Sequence, residues 1–271
     1  MDYSVLLPLV GILIVAAGFA GILAGLFGVG GGIILVPAYY YVFTALDLDG
    51  PQMMQVCLAT SLASIIVTST RSVMAHNKRG AVDWELLRRW APGIALGAVL
   101  GVLVAARLRS DALALIFAVL AMIVGLYLAF GRKDWRIGPQ MPGGVTRGVL
   151  SPTVGFLSVL MGIGGGSFGV PLMTLYSVPM HRAVATAAGF GLLIAVPSVI
   201  GFVLVSVDGA PPWTLGAVNG PAFLITICMT FLTAPLGARL AHALPAMVLR
   251  RIFAGFILLV AVNMMREALW G

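Results

Sequence analysis

Apolar tracts fill this chain almost end to end, separated by short charged or Pro/Gly-rich joints. The first runs from about Val5 to Phe27, breaks at Gly28-Val29-Gly30-Gly31-Gly32, and continues as a shorter piece to about Val42. Tracts near Met54–Met74, Trp90–Leu108 and Ala112–Phe130 follow, and a polar, basic, Pro/Gly-rich stretch from Gly131 to Gly144 then reads as a linker. Beyond it the pattern starts again: Val145–Met161, a break at Gly162-Ile163-Gly164-Gly165-Gly166, a short piece to about Tyr176, and tracts near 183–206, 214–238 and 247–265. A helix needs about 20 apolar residues to cross a bilayer. The pattern therefore predicts an all-α polytopic membrane protein with roughly eight to ten membrane segments.

The second run repeats the first. A shift of 134 places Gly21, Gly28, Gly30, Gly31, Gly32, Val36 and Pro37 on Gly155, Gly162, Gly164, Gly165, Gly166, Val170 and Pro171. Ala59-Thr60 meets Ala185-Thr186 at a shift of 126, and Gly101, Ala105, Leu108, Ile116, Phe117 and Ala118 recur at 136. The expected organisation is a first membrane repeat over 1–131, a linker over 132–144 and a second repeat over 145–271. Each half has five apolar elements, and an odd count turns the second half over.

Charge fixes the expected orientation. Placing segments 75–90, 131–147, 178–182 and 239–251 in the cytoplasm, with Arg71 counted at the edge of the first, puts every Lys and Arg inside except Arg107, Arg109 and Arg266, with Asp47, Asp49 and Asp208 in external turns. That obeys the positive-inside rule. It makes the halves antiparallel, an arrangement common among secondary transporters. The linker is then cytoplasmic and both termini are external, in a multi-pass protein of the inner (cytoplasmic) membrane. The N-terminus lacks the basic region and cleavage site of a secretory signal, so the first tract is expected to be retained.

Composition agrees: 61% of the 271 residues are hydrophobic and 9% are charged, a balance foreign to soluble domains. The net charge of +7 comes from basic residues scattered between tracts, which does not suggest nucleic acid. Cys57 and Cys228 lie inside apolar tracts and read as core residues rather than a disulfide or metal site.

Chemistry is expected at the two breaks. Backbone freed at membrane depth has no lipid partner, so it must be buried in protein or line a cavity. Each break ends one helix and starts another, and the N–H groups and dipole of a helix start suit an oxyanion. Substrate-binding candidates are Gly28, Gly30, Gly31 and Gly32 in the first turn and Gly162, Gly164, Gly165, Gly166 and Ser167 in the second. Thr60, Ser61 and Thr186 follow the breaks with hydroxyls that can donate. Two other readings stand beside this: glycines also serve close helix packing, and membrane Ser and Thr commonly bond the preceding turn, as expected for Ser64, Thr68, Ser69, Thr70, Ser72 and Ser198. Arg71, His76 and Arg239 are cationic candidates, although arginines near helix ends also anchor at headgroups. Asn219 reads as an amide inside an apolar helix, held there by interhelical bonding. Gly93, Gly97 and Gly101 form a packing stripe.

The turns lack the Lys-Ser/Thr of a phosphate loop and the full dinucleotide pattern. No metal-spaced cluster, intramembrane carboxylate relay or soluble ATPase-sized stretch is present in the sequence, so neither catalysis, a metal nor a cofactor is expected.

The paired Gly-x-Gly-Gly-Gly turns, each followed by Val-Pro, resemble the sulfite exporter TauE/SafE family. The likeness extends to the Ala-Thr steps, to His76–Asp83, and to Leu215-Gly216-Ala217-Val218-Asn219. It implies secondary export of sulfite, sulfoacetate or another organosulfonate. The expected partners are a small anionic substrate and membrane lipid, not nucleic acid; homo-oligomerisation and coupling to a proton or other ion are left open. A passive anion channel and a membrane-embedded enzyme acting on a lipid or sulfur compound are the alternatives. The halves differ at Gly169, where the first has Leu35, and at Ala187, where the first has Ser61.

Overall fold

The computed structural model describes residues 3–27, 31–48, 50–131, 135–243 and 246–270. The apolar tracts become helices α1 (Tyr3–Phe27), α2 (Gly32–Ala45), α3 (Met53–Asn77), α4 (Trp84–Ala105), α5 (Ser110–Phe130), α6 (Gly144–Leu160), α7 (Gly166–Leu175), α8 (Met180–Val203), α9 (Gly220–Ala243) and α10 (Ala246–Trp270). A two-stranded antiparallel ribbon, β1 (Thr214–Leu215) and β2 (Val218–Asn219), precedes α9. The chain is an all-α polytopic membrane protein. Among the described residues, α3, α4, α5, α8, α9 and α10 carry stretches long and apolar enough to cross a bilayer. Helices α2, α6 and α7 are shorter, with 14, 17 and 10 residues, so at about 1.5 Å per residue none reaches the roughly 30 Å of hydrocarbon.

Leu96, Leu103, Ile123, Leu126, Leu224, Leu232, Leu259 and Val262 are exposed on the long helices. In water such a surface would aggregate; facing lipid it costs nothing. The interior is built around α3, which is buried along most of its length, and α8.

Helix packing recurs when α1–α5 are exchanged for α6–α10. Helix α1 lies along α9 as α6 lies along α4, and α2 packs on α3 as α7 packs on α8, while α3–α8 and α5–α10 pack across the two sets. Small residues allow the closest of these approaches. A Cβ on Gly97 would run into the Pro152 carbonyl of α6, and one on Gly155 would meet the backbone of Ile94 and Ala98. Gly237 meets the Ile22 backbone, and Gly21 meets Thr230 and Thr233. The Gly93, Gly97, Gly101 stripe thus faces α6, as its spacing predicts.

Two expectations are corrected. Asn219 is not inside a helix: the tract near 214–238 begins as the ribbon, and the helix starts at Gly220. Cys57 is buried, but Cys228 is exposed on α9, because a helix apolar on every side carries no signal for which face points inward.

Gly97→Val is expected to cost at least about 1–3 kcal/mol through overpacking. Gly148→Val, where a Cβ would meet nothing within 4 Å, serves as control. Thermal unfolding in detergent checks this; equal melting temperatures would remove α4–α6 apposition as a source of stability.

Candidate functional site

The two glycine turns touch. Gly31 adopts φ +68°, open to glycine at little cost, and caps α2. A Cβ on the next residue, Gly32, would lie 2.5 Å from the Gly162 carbonyl oxygen and 3.0 Å from Ile163 Cα. Ser61 on α3 donates to that same carbonyl at 2.7 Å. Gly162 ends α6 in a left-handed turn, φ +59°: its N–H donates to Val159 and that of Ile163 to Ser158, both at 2.9 Å. This is the Schellman arrangement, which satisfies the last carbonyls of a helix.

Past Ile163 the backbone is left open. The N–H groups of residues 164–168, at the start of α7, have no acceptor among the described residues, and the first of the series to bond is Gly169, to Gly165 at 2.8 Å. This segment is almost entirely buried. Ser167, 6% exposed, has a buried hydroxyl with no partner among the described residues, and so has Ser158 near the end of α6. The turn faces α3 and α8. Gly164 lies beside Ile65 and Gly191; Gly165 is wedged against Phe190, the Ala187 carbonyl and the Gly191 amide; Gly191 in turn abuts the Ser69 hydroxyl. Close packing therefore accounts for glycine at 32, 162 and 165. It does not use the amides of residues 164–168.

Thr60 and Thr186, both fully buried, do something else. The Thr186 hydroxyl accepts from the Asp83 N–H at 3.0 Å, and the Thr60 hydroxyl accepts from the Asn219 N–H at 3.0 Å. Asp83 Oδ1 in turn accepts from Leu86 N, 2.9 Å, and Asn219 Oδ1 from Ala222 N, 3.0 Å, so each caps the helix that follows. Gly80 and Gly216 precede these caps with φ of +64° and +58°. Thus a threonine of each half holds a helix start of the other. Sequence reasoning did not single out Asp83 and Asn219 as a pair. The signal was there: Gly80-Ala81-Val82-Asp83 and Gly216-Ala217-Val218-Asn219 differ only at the capping residue.

Ser64, Thr68, Thr70 and Ser198 bond carbonyls one turn earlier, the ordinary membrane pattern. Arg71 reaches toward α9. It lies ten residues beyond Ser61 on the same helix, about 15 Å along the axis, with its guanidinium over the Phe231 ring. Gly166 is the buried first residue of α7. Gly28 and Gly30 lie outside the described residues, as does the side chain of Arg239. No group of three or more His, Cys, Asp or Glu able to hold a metal occurs among the described residues.

The family model for sulfite exporter TauE/SafE proteins matches residues 13–264, and so includes both turns and both caps. The chain belongs to this family. A probable membrane transporter protein of Haemophilus influenzae is 32% identical, over 90% of this chain and 94% of its own length. Probable membrane transporter proteins of Methanocaldococcus jannaschii and Bacillus subtilis are 26% and 30% identical, over 88% and 74% of this chain and 88% and 80% of theirs. No solved structure matches. This TauE/SafE protein is thus a membrane transporter rather than an enzyme, as its relatives are named.

Loss of a cap carboxylate costs about 0.5–2 kcal/mol, so Asp83→Ala is expected to lower the melting temperature. Asp83→Asn should lower it less, because asparagine caps equally well and gives up only the exposed ion pair with Arg182. Differential scanning in detergent separates them; equal losses would mean that the cap bond carries no stability.

Proposed function

We propose that this TauE/SafE protein is a secondary exporter of a small sulfur-containing oxyanion, such as sulfite, sulfoacetate or another organosulfonate, across the cytoplasmic membrane. One observation carries the reading: five successive N–H groups at the start of α7, together with the Ser167 hydroxyl, have no acceptor among the described residues. Unpaired donors in a low-dielectric interior are costly, and the three oxygens of a sulfite or sulfonate group supply several acceptors to such a helix start at once. A buried cation is not required.

The two halves then have unequal roles in the proposal. The second turn binds, through Gly164, Gly165, Gly166 and Ser167, with Ser69 across from it. The first turn, through Gly31, Gly32 and Ser61, supports the second by closing on the Gly162 carbonyl. Thr60 and Thr186 position the helix starts around this centre, and Arg71, two residues beyond Ser69, lies over the Phe231 ring. The halves form an inverted repeat in this reading, supported by the exchange of caps, and rocking of one half against the other alternates access. The linker and the 77–84 turn face the cytoplasm, with both termini outside, as the basic residues favour.

Uptake of labelled sulfite, sulfonates, sulfate and chloride into proteoliposomes, with imposed pH and potential gradients, tests the activity. Gradient-driven accumulation of a sulfur oxyanion is expected, whereas movement that only dissipates a gradient would make the protein a channel. Gly164→Ala probes the cradle. Its Cβ would sit 3.3 Å from Ile65 Cγ2, a contact that a small shift relieves, so the variant should fold yet lose about tenfold or more in flux, the equivalent of about 1.4 kcal/mol or more of binding. Gly165→Ala, driven into Phe190 and the Ala187 carbonyl, should fail to fold. Wild-type flux in folded Gly164→Ala would refute amide binding at this turn.

A further inference from the structure

A basic cleft lies at the far end of α3. Arg71, Met74, Ala75, Lys78 and Arg79 line a cleft of about 370 Å³. Their spacing of three and four residues puts them on one face across the helix end. Three cations share this cleft with no carboxylate. The ion pairs among the described residues are Arg89–Glu85, Arg109–Asp111 and Arg182–Asp83, so Arg71, Lys78 and Arg79 are left without an acidic partner.

Arg71 is held ready. Its guanidinium carbon lies 3.5 Å from the centroid of the Phe231 ring of α9, which fixes the plane of the group and leaves its N–H edge free to fork onto an oxyanion. The surroundings show which oxyanion. Met74 and Phe231 are 59% and 53% exposed, so apolar surface flanks the cations instead of a closed polar wall. Just beyond, Trp84 Nε1 donates to Asn77 Oδ1 at 2.8 Å while the indole stays half exposed, the placement of an aromatic residue at a membrane–water boundary. Arg71 lies six residues below Asn77, about 9 Å along the axis. The cleft thus runs from headgroup level down to the first acyl carbons.

We propose that this cleft binds the phosphate of an anionic phospholipid. Lys78 and Arg79 meet the headgroup from above, Arg71 takes a phosphate oxygen from below, and the acyl chain lies along Met74 and Phe231. A free phosphate would have the same oxygens but no use for the apolar flank. Lipid retention and anion flux are read in separate assays, so failure of this proposal and failure of the proposed transport function are distinguishable.

Native mass spectrometry of the full-length protein, released from micelles holding equal phosphatidylglycerol and phosphatidylcholine, tests it. Wild type is expected to retain phosphatidylglycerol about tenfold over phosphatidylcholine. Arg71→Gln/Lys78→Gln/Arg79→Gln should abolish the preference, while Arg107→Gln/Arg109→Gln/Arg266→Gln, which removes equal charge elsewhere, should keep it. If the triple variant is poorly folded, Lys78→Gln and Phe231→Leu, each at an exposed position, should reduce the preference about threefold or more. Equal retention of the two lipids by wild type would overturn the proposal. So would an equal loss in the control, or displacement of the lipid by millimolar inorganic phosphate. A raised half-saturation for sulfite flux in the triple variant, with lipid retention unchanged, would make the cleft a substrate vestibule and likewise overturn it.

Discussion

Lipid offers no hydrogen bonds, so every break in a membrane helix must have its backbone groups met by the protein or by what the protein carries. The described residues meet them in two ways. The end of α6 is closed by its own left-handed glycine, with Val159 and Ser158 as acceptors. The starts of α4 and α9 are closed by Asp83 and Asn219, whose own N–H groups go to threonines reaching across from the other half. The start of α7 is not closed by any described residue. The proposed anion site rests on these donors, which are left without an acceptor among the described residues.

Glycine serves two purposes here that differ in physical kind. At 32, 162 and 165 the missing side chain lets two backbones come within van der Waals contact, which places the start of α2 against the α6–α7 turn and that turn against α8. At 164 the same absence leaves the amides uncovered rather than filling a contact. Packing at the neighbours holds the turn in place, and in the proposed function donors preorganised in this way lose little ordering entropy on binding an anion.

The helices were legible in the sequence because a bilayer demands long apolar runs, and the repeated glycine turns were legible because few other sequences break those runs in the same register twice. The partners of those turns were harder to read. Thr60 and Thr186 stood out through the repeat, yet their acceptor role links α3 to Asn219 and α8 to Asp83, residues 159 and 103 positions away, and no local spacing encodes such a bond. Asn219 was misplaced because the run over 214–238 is apolar enough to read as one membrane segment, whereas the positive φ of Gly216 turns the chain into a ribbon. The burial of Cys57 and the exposure of Cys228 depend on which face of an all-apolar helix meets protein, a matter of tertiary packing alone.

The most direct measurement is the amide proton shift of 15N-glycine-labelled protein during titration with sulfite. Binding by the open helix start should move Gly164, Gly165 and Gly166 downfield and leave Gly162, already bonded to Val159, nearly still. Unmoved resonances at 164–166 under conditions where sulfite is transported would contradict the amide cradle.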